Sequence, residues 1–423
     1  MTTLSLSMLA ELPRRSNALS GGRRRQSGVA LLAMLTLLTL FGLYLFVGQL
    51  SAMQPRLARE QEAATALAEA KTALIGDAIS RLLLNDAGRL RLPDRGAVIG
   101  EVPDIDDEGR ASGNFAGNDK DISVVGMFPW KTLGTGSLRD ATGQCLWYVV
   151  SGRFKIVPKT DALNWDTIGQ LDVINANGSF IATNLAALVV APGPVLDGQS
   201  RVLANVLYRE CGGNYDARNY LDSFDGADAI AGQVNYFDGS TNHRVAPTSN
   251  NKQFVLVDGD HYNDRFVFIS VDDLFNRVMR RSDFAQEIGN LLDTPTFQAY
   301  LQSIVVAGNK GTDNIACSAA PDPSFCDNWK EMLFLAQISP PSPITINGVT
   351  SPLSCGRVLI FAGRRSVGQS RSDALEKADK MNYLEGLNVS SFAVPNATAT
   401  AFSGSLAGFS AASPATDLVR CLP

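Results

Sequence analysis

The chain has 423 residues, is 45% hydrophobic and carries a net charge of −5, ample apolar material for a core of more than one layer. Five arginines and one glutamate fall in residues 1–28, so this leader carries +4 and the rest of the chain −9. So acidic a body is a poor electrostatic partner for nucleic acid, and no nucleic-acid partner is expected.

Residues 1–28 read as a basic cytoplasmic leader. The run from Val29 to Leu50 has no charged residue. At about 22 residues it has the length a helix needs to cross a bilayer with its backbone satisfied internally. Arg14, Arg15, Arg23, Arg24 and Arg25 all precede it, which puts the N-terminus in the cytoplasm and the C-terminal body in the periplasm. The expectation is a single-pass inner-membrane protein with a transmembrane helix over 29–50. A cleaved secretory signal fits less well, because the core is too long and Leu50-Ser51-Ala52-Met53 lacks the small-residue exit.

Residues 51–84 extend the helix. Ala, Leu, Glu and Lys dominate from Arg56 to Leu84, and Pro55 marks a kink just before them. Beyond Leu84 the pattern changes to short β-type runs between Gly, Asn and Asp. Strands are expected at 122–125, 145–150, 187–190, 254–257, 265–269 and 358–361. Ser270 with Asp273 reads as a helix cap, followed by Leu274, Val278 and Met279 on one face. More helix is expected over 283–301. The expected fold class is therefore α+β, a long N-terminal transmembrane helix followed by a large mixed, β-rich periplasmic domain over 85–423.

Two stretches of this domain repeat one order of elements. Ala187-Leu188-Val189-Val190 leads to Gly198-Gln199-Ser200-Arg201 and then to Asn219-Tyr220-Leu221-Asp222. Val358-Leu359-Ile360-Phe361 leads to Gly368-Gln369-Ser370-Arg371 and then to Asn382-Tyr383-Leu384-Glu385. The units at 187–222 and 358–385 point to two lobes of equivalent strand–loop construction. In each, Gly permits the turn, and the Gln, Ser and Arg side chains are expected to fold back onto loop carbonyls and onto the acid after NYL.

All six cysteines, Cys145, Cys211, Cys317, Cys326, Cys355 and Cys421, follow the apolar run, an even number that suggests disulfides in an oxidising compartment. Cys317 and Cys326 enclose a short loop with two prolines and are the favoured pair. Asp104, Asp106 and Glu108 alternate ahead of Gly109, the oxygen-rich spacing that suits calcium, although Phe115 occupies the twelfth loop position. No other cofactor is expected. His243 and His261 are the only histidines, and neither lies in a catalytic motif. The reading is therefore of a non-enzyme.

The junction Gly28-Val29-Ala30-Leu31-Leu32-Ala33-Met34 resembles a type IV prepilin leader, closest to the PilX-like minor pilins and the large K-type minor pseudopilin of type II secretion. Ala68-Glu69-Ala70-Lys71-Thr72-Ala73-Leu74-Ile75-Gly76 is similar to a stretch after the apolar segment of many prepilin-like bacterial proteins. Phe128-Pro129-Trp130, Leu146-Trp147-Tyr148, Asn263-Asp264-Arg265 and Asp272-Asp273-Leu274-Phe275 carry the resemblance over most of the chain. It implies cleavage between Gly28 and Val29 by a prepilin peptidase. It also implies partners among other pilins or pseudopilins, met through the N-terminal helix, and a minor-subunit role in assembling or capping a type IV pilus or type II secretion filament. Calcium is known in the K-type members. Ala33 replaces the Glu that most members carry five residues after the cut, as in the tip-located K-type pseudopilin. A permanently anchored periplasmic binding or adhesion module is the alternative, with a periplasmic enzyme behind it.

Overall fold

The computed structural model describes residues 27–96, 108–113, 122–157, 159, 162–175, 177–202, 210–222, 244–245, 251–257, 262–306, 310–311, 315–393 and 399–423. The chain divides into two units, Met1–Ala58 and Arg59–Pro423.

Among the described residues of the first unit lies the helix α1 (Ser27–Ile79), which continues into the second. Its side chains from Leu31 to Leu45 are exposed all round the circumference. The hydroxyls of Thr36 and Thr39 donate back to the carbonyls of Ala33 and Thr36, each at 2.9 Å, so these polar groups are turned onto the helix itself. Among the described residues no helix is long and apolar enough to cross a membrane. This corrects both the transmembrane helix of the expected fold and the single-pass inner-membrane placement. Helix accounts for 35% and strand for 24% of the described structure, which is mixed α/β with sheets present.

The second unit follows in chain order. It opens with β1 (Ser123–Met127), α2 (Trp130–Leu133), β2 (Trp147–Val150), β3 (Leu171–Ile174), β4 (Phe180–Leu185), β5 (Ala187–Ala191), β6 (Arg244–Val245), β7 (Lys252–Val255) and β8 (Arg265–Ile269). Then come α3 (Val271–Val278), α4 (Ser282–Asp293), α5 (Pro295–Ser303), β9 (Lys310–Gly311) and α6 (Pro323–Trp329). It closes with β10 (Leu333–Ile346), β11 (Val349–Phe361), α7 (Ala374–Ala378), α8 (Leu387–Ala393), β12 (Ala401–Phe402) and β13 (Leu418–Leu422). One sheet is ordered β6-β1-β2-β5-β8 and antiparallel throughout. A second is ordered β12-β10-β11-β13, with β9 also on β10, and a third β4-β3-β7.

Strands β1, β2 and β5 are buried on both faces, and the alternation of their side chains assigns each face to a different core. Val124, Tyr148, Val150, Ala187 and Val189 point into the larger core, which they share with α1, α3 to α6 and the β10–β11 pair. Val125, Trp147, Val149, Leu188 and Val190 point into a smaller one with Leu171, Val173, Phe254 and Tyr220. From α1 the larger core takes Ala63, Ala66, Leu67, Ala70, Leu74 and Ala78, a stripe spaced by three and four residues. Lys71 beside that stripe donates to the carbonyl of Phe268 on β8 and to Asp273 of the α3 cap, both at 2.9 Å. The α1 terminus is closed by Arg281, which donates to the carbonyl of Ile79 at 2.6 Å.

Candidate functional site

The two GQSR turns occupy corresponding places, each after a strand with a partner on either side: β5 lies between β2 and β8, and β11 between β10 and β13. Gly198 and Gly368 have φ of +87° and +93°, values that favour glycine and start both turns. The Gln oxygens accept the N–H of Leu196 at 3.0 Å and of Ser366 at 2.9 Å. Ser200 N donates to Asn219 Oδ1 at 2.9 Å, and Ser370 N to Asn382 Oδ1 at 3.2 Å. The Arg Nε atoms donate to the carbonyls of Asn219 at 2.8 Å and Asn382 at 2.6 Å. The guanidinium groups lie 4.8 Å from the Tyr220 ring centre and 4.1 Å from that of Tyr383. Leu221 and Leu384 are buried beneath. The repeat in the sequence is thus a repeat in hydrogen bonds.

The arginines do fold back onto loop carbonyls, Arg201 onto Gly193 at 2.7 Å and Arg371 onto Gly363 at 3.1 Å. Their hydrogen bonds go elsewhere than to the acid after NYL. Arg201 bonds the carbonyls of Pro192, Gly193 and Asn219 and the side chain of Gln199. Arg371 is fully buried and pairs with the equally buried Asp166 at 2.6 Å, which also takes Arg365 at 3.0 Å. Burial pushes the Asp166 carboxyl up, against the pull of Arg371 and Arg365. Asp166 follows Trp165, whose ring meets Trp329, Phe284, Phe361 and Phe409 with centroids 4.6 to 6.3 Å apart. The second turn is therefore bolted to the aromatic centre of the larger core.

Of the residues singled out in the sequence, Gly28 and Val29 fall within α1. Cys317 and Cys326 are bridged with an S–S distance of 2.00 Å, alongside Cys145–Cys211 and Cys355–Cys421. Glu108 is buried and spends its carboxylate on backbone, accepting from Cys211 N at 2.7 Å and Glu210 N at 3.0 Å. Asp104 and Asp106, and likewise His243 and His261, lie outside the described residues. Among the described residues no three His, Cys, Asp or Glu side chains are grouped to hold a metal ion. Asp94 has no sequence signal, yet it ties three segments together. It accepts from Gly96 N at 2.9 Å, Gly109 N at 2.6 Å and Tyr215 Oη at 2.8 Å. Burial pushes its carboxyl up to about 6.

Two polar clefts open on this unit. One of about 490 Å³ is lined by Arg153, Asn164, Thr167, Glu331, Ser372 and Lys377. Its Glu331 is held by Lys377 at 3.0 Å and by Asn164. The other, about 580 Å³, has Arg89, Lys159, Asp327 and Lys330 among its walls. Lys159 pairs with Asp86 and Lys330 with Asp327. Glu331, Lys377, Lys159, Asp327 and Lys330 are thus engaged in pairs, and neither lining sets a nucleophile beside a histidine. No protein-family model matches the chain, and neither does any curated protein or solved structure.

Proposed function

We propose that this chain is a non-catalytic assembly subunit of the minor pilin or pseudopilin kind, placed at the starting or capping end of a type IV pilus or type II secretion filament. The observation that carries the reading is the stretch from Leu31 to Leu45, whose large apolar side chains are 50–75% exposed on every face of the helix. A helix that is apolar all round is stable only when other apolar surfaces enclose it. The helices of neighbouring filament subunits are such surfaces. Ala33 introduces no charge into that bundle, so no partner amine is needed to neutralise one. The Arg59–Pro423 unit, held by three disulfides, is large for a repeating subunit and suits an end position. Its GQSR arginines are engaged within the fold, which leaves the apolar helix as the better contact element.

The reading includes cleavage after Gly28, so Edman sequencing of the assembled protein is expected to start at Val29. The role itself is tested by two full-length variants. Leu38→Arg puts an unpaired charge among packed apolar helices and is expected to abolish recovery in sheared filaments or cross-linked pilin complexes, with the disulfides still formed. His243→Ala with His261→Ala is expected to leave assembly intact. Assembly by the Leu38→Arg variant, with loss of function in the folded double-histidine variant, would overturn the reading in favour of an enzyme.

A further inference from the structure

The two turn units differ at one buried carboxyl. Asp417, just before β13, has both oxygens engaged. Oδ1 accepts Gly363 N at 3.1 Å, and Oδ2 accepts Glu385 N at 3.2 Å and Asn388 Nδ2 at 2.7 Å. Its counterpart is Asp264, just before β8, whose Oδ2 accepts Asp222 N at 2.8 Å as Asp417 accepts Glu385 N. The remaining donors do not correspond. Gly193, the match of Gly363, gives its N–H to Asp140 Oδ2 at 2.9 Å. Among the described residues no amide corresponding to Asn388 donates to Asp264; instead the buried Asp222 returns its bond, its Oδ2 accepting the N–H groups of Asn263 and Asp264, the latter at 2.6 Å. Asp264 Oδ1 is left buried without a donor, on a residue only 6% exposed.

Two carboxylates packed together out of water cannot both ionise cheaply. Among the charges that act on them are those of Arg201 and Arg265, and Asp140 in turn acts on Arg201. Arg201 gives its hydrogen bonds to carbonyls and Gln199, and Arg265 donates to the backbone carbonyl of Asp264 at 3.2 Å. We infer that Asp222 and Asp264 share a proton and form a pH-sensitive clasp between the NYL element of the first turn unit and the base of β8. With the proton the clasp is closed; when both carboxyls ionise, their repulsion loosens it. Burial pushes the Asp222 carboxyl up to about 6 and that of Asp264 well above its ordinary value, with Asp222 adding to the second shift. The two titrate as a pair, and the clasp weakens as pH rises through this range.

The test uses the full chain. Asp222→Asn keeps the acceptor for Asn263 and Asp264 and supplies an amide donor, as Asn388 does for Asp417. Thermal unfolding of the wild type is expected to shift down in temperature from pH 5 to pH 8. In Asp222→Asn the slope is expected to fall by about one proton equivalent, with higher stability at pH 8. Asp264→Asn is expected to flatten the same slope. Hydrogen exchange of the peptide covering Asn263 to Ile269, corrected for intrinsic pH dependence, should rise by up to about tenfold per pH unit between the ordinary carboxyl range and the raised folded values, level off above them in the wild type, and stay flat in Asp222→Asn. Unchanged slopes in both variants, or wild-type protection of this peptide that ignores pH, would overturn the clasp. Should Asp222→Asn fail to fold, Asp264→Asn and the wild-type exchange decide it.

Discussion

At the scale of single residues, the arginines of the two GQSR turns show how one motif carries two levels of commitment. Arg201 bonds neutral groups, whereas Arg371 forms a fully buried ion pair with Asp166. Removing one member of such a pair strands the other, so Asp166→Ala is expected to cost about 3–5 kcal/mol. Arg201→Met, which leaves unsatisfied carbonyls but breaks no direct ion pair, is expected to cost about 1–3 kcal/mol. Urea unfolding of both variants checks the order, and equal costs would show that the Asp166 pair is not special. Asp94 and Asp417 give a pH signature, since burial holds both carboxyls up at about 6. A raised folded-state value means stability that is complete below the unfolded value of about 4 and is lost as pH rises through about 6. The melting temperature is therefore expected to fall between pH 5 and pH 7, and Asp94→Asn to reduce that fall.

At the scale of elements, local chemistry was legible and long-range pairing was not. Alternating and β-branched residues mark β8 at Arg265–Ile269, where the strand is found. Ser270 and Asp273 form the reciprocal capping box that their spacing suggests. Ser270→Ala is accordingly expected to cost about 1 kcal/mol, read as a lower unfolding midpoint. The helix expected over 283–301 is broken at Thr294 (φ −70°, ψ 120°), because a residue before proline prefers extended backbone and Pro295 can only begin the next helix. The long strand β10 escapes a sequence reading because Pro340, Pro341 and Pro343 look like breakers. Its ladder accommodates them at register shifts between Gln337 and Ser342 and between Pro343 and Thr345. The short loop of Cys317 and Cys326 was readable, while the other two bridges join residues 66 apart and depend on the finished sheets. Loop length predicts that losing Cys317–Cys326 costs about 2–3 kcal/mol and losing either long-range bridge about 4. Pairwise Cys→Ser variants compared by denaturation would show the reverse order if the loop-entropy account is wrong.

At the scale of the whole molecule, the chain combines an acidic, disulfide-stapled α/β unit with an apolar helical stretch whose large side chains from Leu31 to Leu45 are exposed. The turn units were readable as repeats because their residues are close in sequence. The Asp166 anchor and the Asp222–Asp264 pair were not, because each joins segments far apart in the chain. The central claim is that the apolar helix is enclosed by helices of other subunits. No described cysteine is free, so an added one reports on its own surroundings. The decisive measurement is cross-linking of full-length Leu38→Cys in the native host, with Leu375→Cys, 84% exposed on α7, as the control. The account predicts cross-links from position 38 to other pilin-type subunits and none from position 375. Monomer alone from position 38, in protein that carries all three disulfides and performs its function, would contradict it.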